Sequence, residues 1–308
     1  MLQIERPSCL VAGTRVRGPK FFRFGPRLEG PLALPHAVRG IERIVFRLRP
    51  LEQMKFQETR NTIEISIASQ PYFFEHVLGT FFHAKPIHGN EHAGLLLSIA
   101  EVPRGRAEDV ARAVKSAADA FPAWSRVVPR ERGRLLARIA DALEARVEEL
   151  ARTIALETGN ALRTQARPEA KTTVDILRYF GGLGGELKGE TIPFGEHVLS
   201  YTRREPLGVV GAIIPWNAPV LLAALKIGPA LCAGNTLVLK AAEDAPLGVL
   251  LLAEVCQEFL PPGVFNALTG LGEECGAPLA NHPMVSKLSF TGSTEVGKLV
   301  MRDRKSVV

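Results

Sequence analysis

The sequence predicts an α/β protein built on a doubly wound parallel sheet with helices on both faces. Three observations carry that expectation. After Pro206 short strands and helices alternate strictly. The strands are almost wholly apolar, as strands covered on both faces must be. All four end in a polar or glycine-rich tip. Strand–crossover–strand units turn right-handed almost without exception, so consecutive units of this kind wind into a single sheet.

The first 97 residues have a different texture. They contain no aspartate before Asp109, nine of the 15 Phe and five of the seven His. Arg, Pro and Gly dominate residues 13–50 without a helical or strand period, and only Thr62 to Ser69 alternates like a strand. Residues 1–97 are therefore unassigned, and a wrong start or a frame error is the expected origin of their texture. His83, His88 and His92 lack regular helical spacing and are interrupted by Pro86 and Gly89, so they read as loop histidines rather than a metal site.

The formal net charge of +6 resides in the same region: residues 1–60 carry 12 Lys+Arg against 5 Asp+Glu, which leaves about −1 for the rest. With no basic stripe beyond residue 60, no nucleic-acid partner is expected. No apolar run reaches the roughly 20 residues needed to cross a bilayer. There is no secretory leader pattern, and Cys9, Cys232, Cys256 and Cys275 show no CxxC spacing. Reduced thiols and a cytoplasmic location are expected.

Regular periodicity begins near Ala107. Val110, Ala113, Val114, Ala117 and Phe121 mark one helix face, with Glu108 and Asp109 in the first turn where the macrodipole favours acids. Leu135, Leu136, Ile139, Leu143, Val147, Leu150 and Ile154 mark a second helix ended by Gly159. Thr172 to Tyr179 reads as part of a third. The glycines at 181, 182, 184 and 185 fit neither a P-loop nor G-x-G-x-x-G and read as a flexible helix end. Val198 to Arg203 alternates like a strand. The expected sheet strands are Val209–Ile214, Thr236–Lys240, Val264–Leu268 and Lys287–Phe290. The expected helices are Val220–Cys232, Leu247–Phe259, Glu273–Ala280 and Ser293–Met301.

Ligands on such sheets bind beyond the C-terminal strand ends. Four tips therefore form the candidate site: Pro215 to Asn217, Lys240 to Glu243, Gly270 to Gly272 and Thr291 to Ser293. Asn217 reads either as a donor to a developing oxyanion or as a helix cap. Lys240 and Glu243 read either as ribose contacts or as an exposed ion pair. Gly272 and Gly276 allow close backbone approach. The strand–Gly–Ser–helix junction at 290–297 aims free N–H groups outward, which suits a phosphate.

Together these stretches resemble the aldehyde dehydrogenase superfamily from about Ile99 to Arg302. The matching segments are Pro215-Trp216-Asn217, Lys226 to Ala230, Ala233 to Thr236, Leu239-Lys240, Pro262 to Val264 and Phe290 to Gly297. The resemblance implies a Rossmann-like, NAD(P)-binding domain over 98–302. Asn217 would be the oxyanion-hole side chain. Ile213, Ile214, Pro215, Trp216, Lys240, Glu243, Gly272, Gly276, Phe290, Thr291, Gly292, Ser293 and Val296 would line the cofactor site. Glu243 would repel a 2′-phosphate, so NAD is expected over NADP. The segment 188–206 resembles the family's oligomerisation strands and implies a homo-oligomer.

Departures are equally informative. Lys240 is followed by Ala241 rather than Pro. The family's Glu-Leu-Gly-Gly base and Gly-Gln-x-Cys nucleophile segments are not found, nor is its strand before Ile99, and no cysteine sits in a nucleophile context. The catalytic domain is accordingly expected to be absent. Residues 303–308 leave the pattern, and the string GATCGGAAGAGCGTCGTG, which looks like adapter DNA, would encode them, so an artificial tail is expected. The implied activity of a full-length relative is oxidation of an aldehyde to a carboxylic acid through a cysteine thiohemiacetal. The alternatives are a non-catalytic nucleotide-binding or interaction fragment and a reductase acting on acyl phosphates or acyl-CoA.

Overall fold

The computed structural model describes residues 96–303, together with the backbone of four short strands before them. Cys9, the three histidines at 83, 88 and 92, and residues 304–308 lie outside the described residues. The early strands are β1 (Leu10–Val11) and β2 (Thr14–Arg15), which pair with each other, and β3 (Arg47–Arg49) and β4 (Thr62–Ile67). The latter two flank β5 (Leu96–Pro103) antiparallel, in the order β3-β5-β4. The strand β5 was not among the expected elements. Its Leu-Leu-Ser-Ile-Ala-Glu-Val run does not alternate: the buried Ile99 and Val102 are three residues apart, and the ladder with β4 shifts register opposite Ile99.

Three helices follow, α1 (Ala107–Trp124), α2 (Pro129–Ala145) and α3 (Val147–Thr158). The single second helix expected across this stretch is thus two. It breaks at Arg146, whose backbone (φ −110, ψ 15) leaves the helical region. Gly159 ends α3 in the left-handed conformation (φ 74), which glycine adopts without steric cost. A π-helical turn (Leu162–Ala166) leads into α4 (Arg167–Gly182), and a 3₁₀ turn (Leu183–Gly185) ends it.

The glycines there do more than loosen a helix end. A Cβ on Gly133 would lie 2.3 Å from the Gly181 carbonyl oxygen, and one on Gly184 would lie 2.5 Å from that of Pro129. The cluster lets α2 and the end of α4 touch backbone to backbone. The strands β6 (Thr191–Pro193) and β7 (Leu199–Tyr201) then form an exposed antiparallel pair, shorter than the expected Val198–Arg203.

The main sheet contains β8 (Val209–Ile213), β9 (Thr236–Lys240), β10 (Phe265–Leu268) and β11 (Val285–Phe290), all parallel, in the order β10-β9-β8-β11. Between them run α5 (Pro219–Cys232), α6 (Leu247–Gln257) and α7 (Ala277–Asn281), and α8 (Thr294–Asp303) follows β11. The expected helix over Glu273–Ala280 is instead a π-helical turn (Gly272–Gly276) followed by α7.

Side-chain alternation along each strand splits the core in two. Val210, Ala212, Leu237, Leu239, Phe265 and Ala267 pack with α2 to α6. Val209, Val238 and Leu268 face the other way, onto Val110, Val114 and Ala117 of α1 and Leu279 of α7. Both faces of the sheet are covered, as its apolar strands require.

Candidate functional site

The strand order reverses direction between β8 and β11, so the crevice of this sheet opens at their C-terminal ends. At that point the Thr291 N–H donates to the Ile213 carbonyl at 3.0 Å, adding one rung past β11. The Ile214 N–H donates across to Lys240 at 3.3 Å, and the Ala241 N–H to Leu268 at 2.9 Å. The four tips are thereby held side by side along one edge.

After β8 the chain turns through Pro215, Trp216 and Asn217. The indole of Trp216 is 53% exposed, and the Asn217 side chain lies at the surface without a hydrogen bond among the described residues. Of the two readings of Asn217, the cap is not what forms. The N-cap of α5 is Ala218, with no side-chain cap of its own. The first amides of α5 are satisfied from elsewhere: Val220 and Leu221 donate to Glu169 Oε1 of α4 at 3.0 and 3.3 Å. The Asn217 carbonyl accepts from Asn160 Nδ2 at 3.2 Å.

At the tip of β9, Lys240 is only 3% exposed, and its Nζ meets Glu243 Oε2 at 2.5 Å. This is a correction to the exposed ion pair: the ammonium is buried and needs a partner there. The tip of β10 is clamped to the segment leaving β5. The Gly105 N–H donates to Thr269 at 2.9 Å, Thr269 Oγ1 donates to the Pro103 carbonyl at 2.6 Å, and Arg104 grips Glu274 with two bonds of 2.7 and 2.6 Å. That ion pair holds the Glu274 carboxyl below its ordinary range.

Beyond the clamp, a Cβ on Gly272 would meet nothing within 4 Å, and one on Gly276 would approach only Ile213 Cδ1 at 3.8 Å. The protein's own packing requires neither glycine, and Gly272 borders open space. At the tip of β11, a Cβ on Gly292 would strike the Phe290 ring at 2.5 Å. Ser293 begins α8: its Oγ accepts from the Val296 N–H at 3.2 Å, and its carbonyl accepts from Gly297 at 2.9 Å. The Val296 side chain is 45% exposed.

The structure thus gathers all the candidate residues at one edge, with Lys240, Ile214 and Gly276 buried and Trp216, Asn217, Gly272, Gly292, Ser293 and Val296 open. The three described cysteines are buried. Burial pushes the Cys232 thiol up, and those of Cys256 and Cys275 to about 12, which leaves no ready thiolate among them. No cluster of metal-ligating side chains occurs among the described residues.

Reading the sequence missed Asn160, Glu157 and Glu169. The signal was an acid on an apolar face: Glu157 continues the buried row Leu150 and Ile154, and Glu169 lies among Ala166, Ala170 and Thr173.

A parallel sheet with such a switch point, bordered by glycine-rich and polar turns, defines a dinucleotide-type α/β domain. The chain belongs to the aldehyde dehydrogenase family, whose pattern matches residues 96–307. It is 41% identical over 227 residues to a long-chain-aldehyde dehydrogenase of an Acinetobacter species, covering 73% of this chain and 44% of that protein. It is equally identical, over 231 residues, to an acetaldehyde dehydrogenase of Pseudomonas aeruginosa, covering 75% and 44%. Among solved structures, the NAD+ complex of an aldehyde dehydrogenase from Bacillus cereus superposes with a TM-score of 0.66 at 41% identity, covering 67% of this chain and 43% of that one. The chain spans less than half the length of these relatives.

Proposed function

We propose that residues 98–302 form the NAD(P)-binding part of an enzyme that oxidises an aldehyde to a carboxylic acid. The observation that carries this reading is the gathering of four strand tips around one switch point. The residues present suit a dinucleotide. Lys240 and Glu243 offer a paired cation and anion for ribose hydroxyls, Gly272 leaves room at the edge, and the start of α8 presents backbone amides to phosphate. Bound NAD would supply the hydride acceptor. Ile213, Ile214, Pro215, Trp216, Phe290, Thr291, Gly292 and Val296 would line its site, and the Asn217 carboxamide would donate to the developing oxyanion, a contact worth about 3 kcal/mol in comparable sites.

The nucleophile of the longer relatives' reaction would be a cysteine forming a thiohemiacetal. None of the three described thiols suits that role, so the described residues taken alone would bind cofactor without turning over aldehyde. That favours, for the isolated chain, the second reading of a non-catalytic nucleotide-binding fragment. The pair β6–β7, within 188–206, would join copies of the chain into a dimer or tetramer.

Calorimetric titration of the 308-residue chain tests the cofactor reading. NAD should bind more tightly than NADP, Lys240→Met should weaken NAD about tenfold or more, and Glu243→Gln should narrow the gap to NADP. Absence of binding by either dinucleotide would sink it. Appearance of NADH with a simple aldehyde would refute the inactivity of the isolated chain.

A further inference from the structure

Two buried carboxyl groups lie behind the candidate site and belong to no step above. Glu157 near the end of α3 is 6% exposed and Glu169 in the first turn of α4 is 7% exposed. Each meets the N-terminus of a different helix. Glu169 Oε1 accepts from Val220 and Leu221 at the start of α5. Glu157 uses both oxygens on α6: Oε2 accepts from Leu247 at 2.6 Å and Oε1 from Gly248 at 3.0 Å.

Neither helix has a side-chain cap of its own or an acid in its first turn, so these amides depend on the two glutamates. The contact is fitted closely. A Cβ on Gly248 would lie 2.9 Å from Glu157 Oε1 and 2.7 Å from Val220 Cγ2, which places both helix starts against one another. Immediately before α5 comes the turn 215–217, and immediately before α6 comes the loop 241–246 that carries Glu243. Asn160, just past α3, holds the same turn through the Asn217 carbonyl.

We propose that Glu157 and Glu169 are positioning residues for the cofactor site, each fixing one strand-tip loop by capping the helix that follows it. The inference rests on the cofactor reading for its consequence, and on the hydrogen bonds alone for its geometry. Those bonds make an asymmetric prediction. At 169 one oxygen takes both amides, and a glutamine carboxamide oxygen can stand in its place. At 157 each oxygen takes one amide, so a glutamine must turn an NH₂ donor toward an N–H donor.

The test uses the full 308-residue chain with Glu169→Ala, Glu169→Gln, Glu157→Gln and Gly248→Ala. It measures NAD affinity, melting temperature, acrylamide quenching of Trp216 and amide exchange. Trp216 is a clean probe, because the only other tryptophan, Trp124, is 1% exposed. Glu169→Ala should alter Trp216 quenching, speed exchange at Val220 and Leu221, and weaken NAD about tenfold. Glu169→Gln should restore all three. Glu157→Gln should speed exchange at Leu247 and Gly248, weaken NAD about tenfold and leave Trp216 as it was. Gly248→Ala should likewise speed exchange at positions 247 and 248 and weaken NAD, but it should also reach the start of α5, because its Cβ would press on Val220.

Equal behaviour of the two glutamine variants, whether both intact or both impaired, would overturn the proposal. So would unaltered Trp216 quenching in Glu169→Ala. If the parent chain binds no NAD, the cofactor reading fails, while exchange and quenching still decide whether the glutamates fix the loops.

Discussion

The Glu157 carboxyl titrates far from its ordinary value. Burial pushes it from 4.5 to about 8, and the Coulombic push of Glu169 adds to that, against the opposing pull of the Gly248 and Leu247 amides. Burial likewise raises Glu169 and Asp244. A raised carboxyl binds more proton folded than unfolded between the two values. Its contribution is therefore whole below about 4.5 and is lost as pH rises toward 8, by at most about 1.4 kcal/mol per pH unit. Glu148 has the opposite sign: Arg167 holds it near 2, so its small contribution disappears only as pH falls below 4.5. Urea unfolding at pH 5, 6, 7 and 8 should show stability falling with pH in the parent chain and a flatter profile in Glu157→Gln. A parent profile that rises over this range would refute the assignment. At this scale Trp216, Asn217, Lys240 and Glu243 were legible because polar residues at the tips of apolar strands have few other reasons to be there. Glu157 and Glu169 were not, because an acid within a helical stripe reads as surface until its distant amides are known.

Glycine has two uses, conformational freedom and thinness, and a sequence does not separate them. The cluster ending α4 uses thinness at two positions and needs neither property at the other two, none of its members having a positive φ. Gly181 and Gly184 sit against α2, whereas a Cβ on Gly182 or Gly185 would meet nothing within 4 Å. Gly184→Ala should therefore destabilise the protein by about 1–3 kcal/mol, through a methyl forced onto the Pro129 carbonyl. Gly182→Ala, at a helical φ of −64, should stabilise it by about 0.5–1 kcal/mol. Chemical denaturation of both variants checks the contrast, and equal midpoints would refute it. The four sheet strands were legible to within two residues at either end, since a short apolar run between helices admits few other structures. The π-helical turn at 272–276 was not, because its extra residue per turn leaves no mark on hydrophobic spacing.

Across the molecule, the apolar surface left uncovered is concentrated. The β6–β7 pair exposes Ile192, Phe194, Val198, Leu199 and Tyr201, the last four each more than half exposed. Among the described residues β11 pairs on one side only, with β8, and Leu299 and Met301 of α8 stand open beside it. Surfaces of this kind associate. Sedimentation velocity should find a dimer or larger species, and Phe194→Asp with Leu199→Lys should shift it toward monomer. A monomeric parent chain at tens of micromolar would contradict the proposed role of 188–206. The family match begins at residue 96, where β5 starts. Which aldehyde the proposed reaction would take was not legible, and the two named relatives, equally identical to this chain, are named for different aldehydes.

The borrowed caps also bear on how the chain acquires its fold. The donors on α5 and α6 lie 51 and 91 residues from the carboxylates that satisfy them. Neither helix carries a capping side chain of its own, and at 14 and 11 residues both are short for stability in isolation. Their first turns are complete only where α3 and α4 are docked against them. Contacts of such sequence separation cost loop-closure entropy, and the two side chains that cap these helices are made well before the segments they complete.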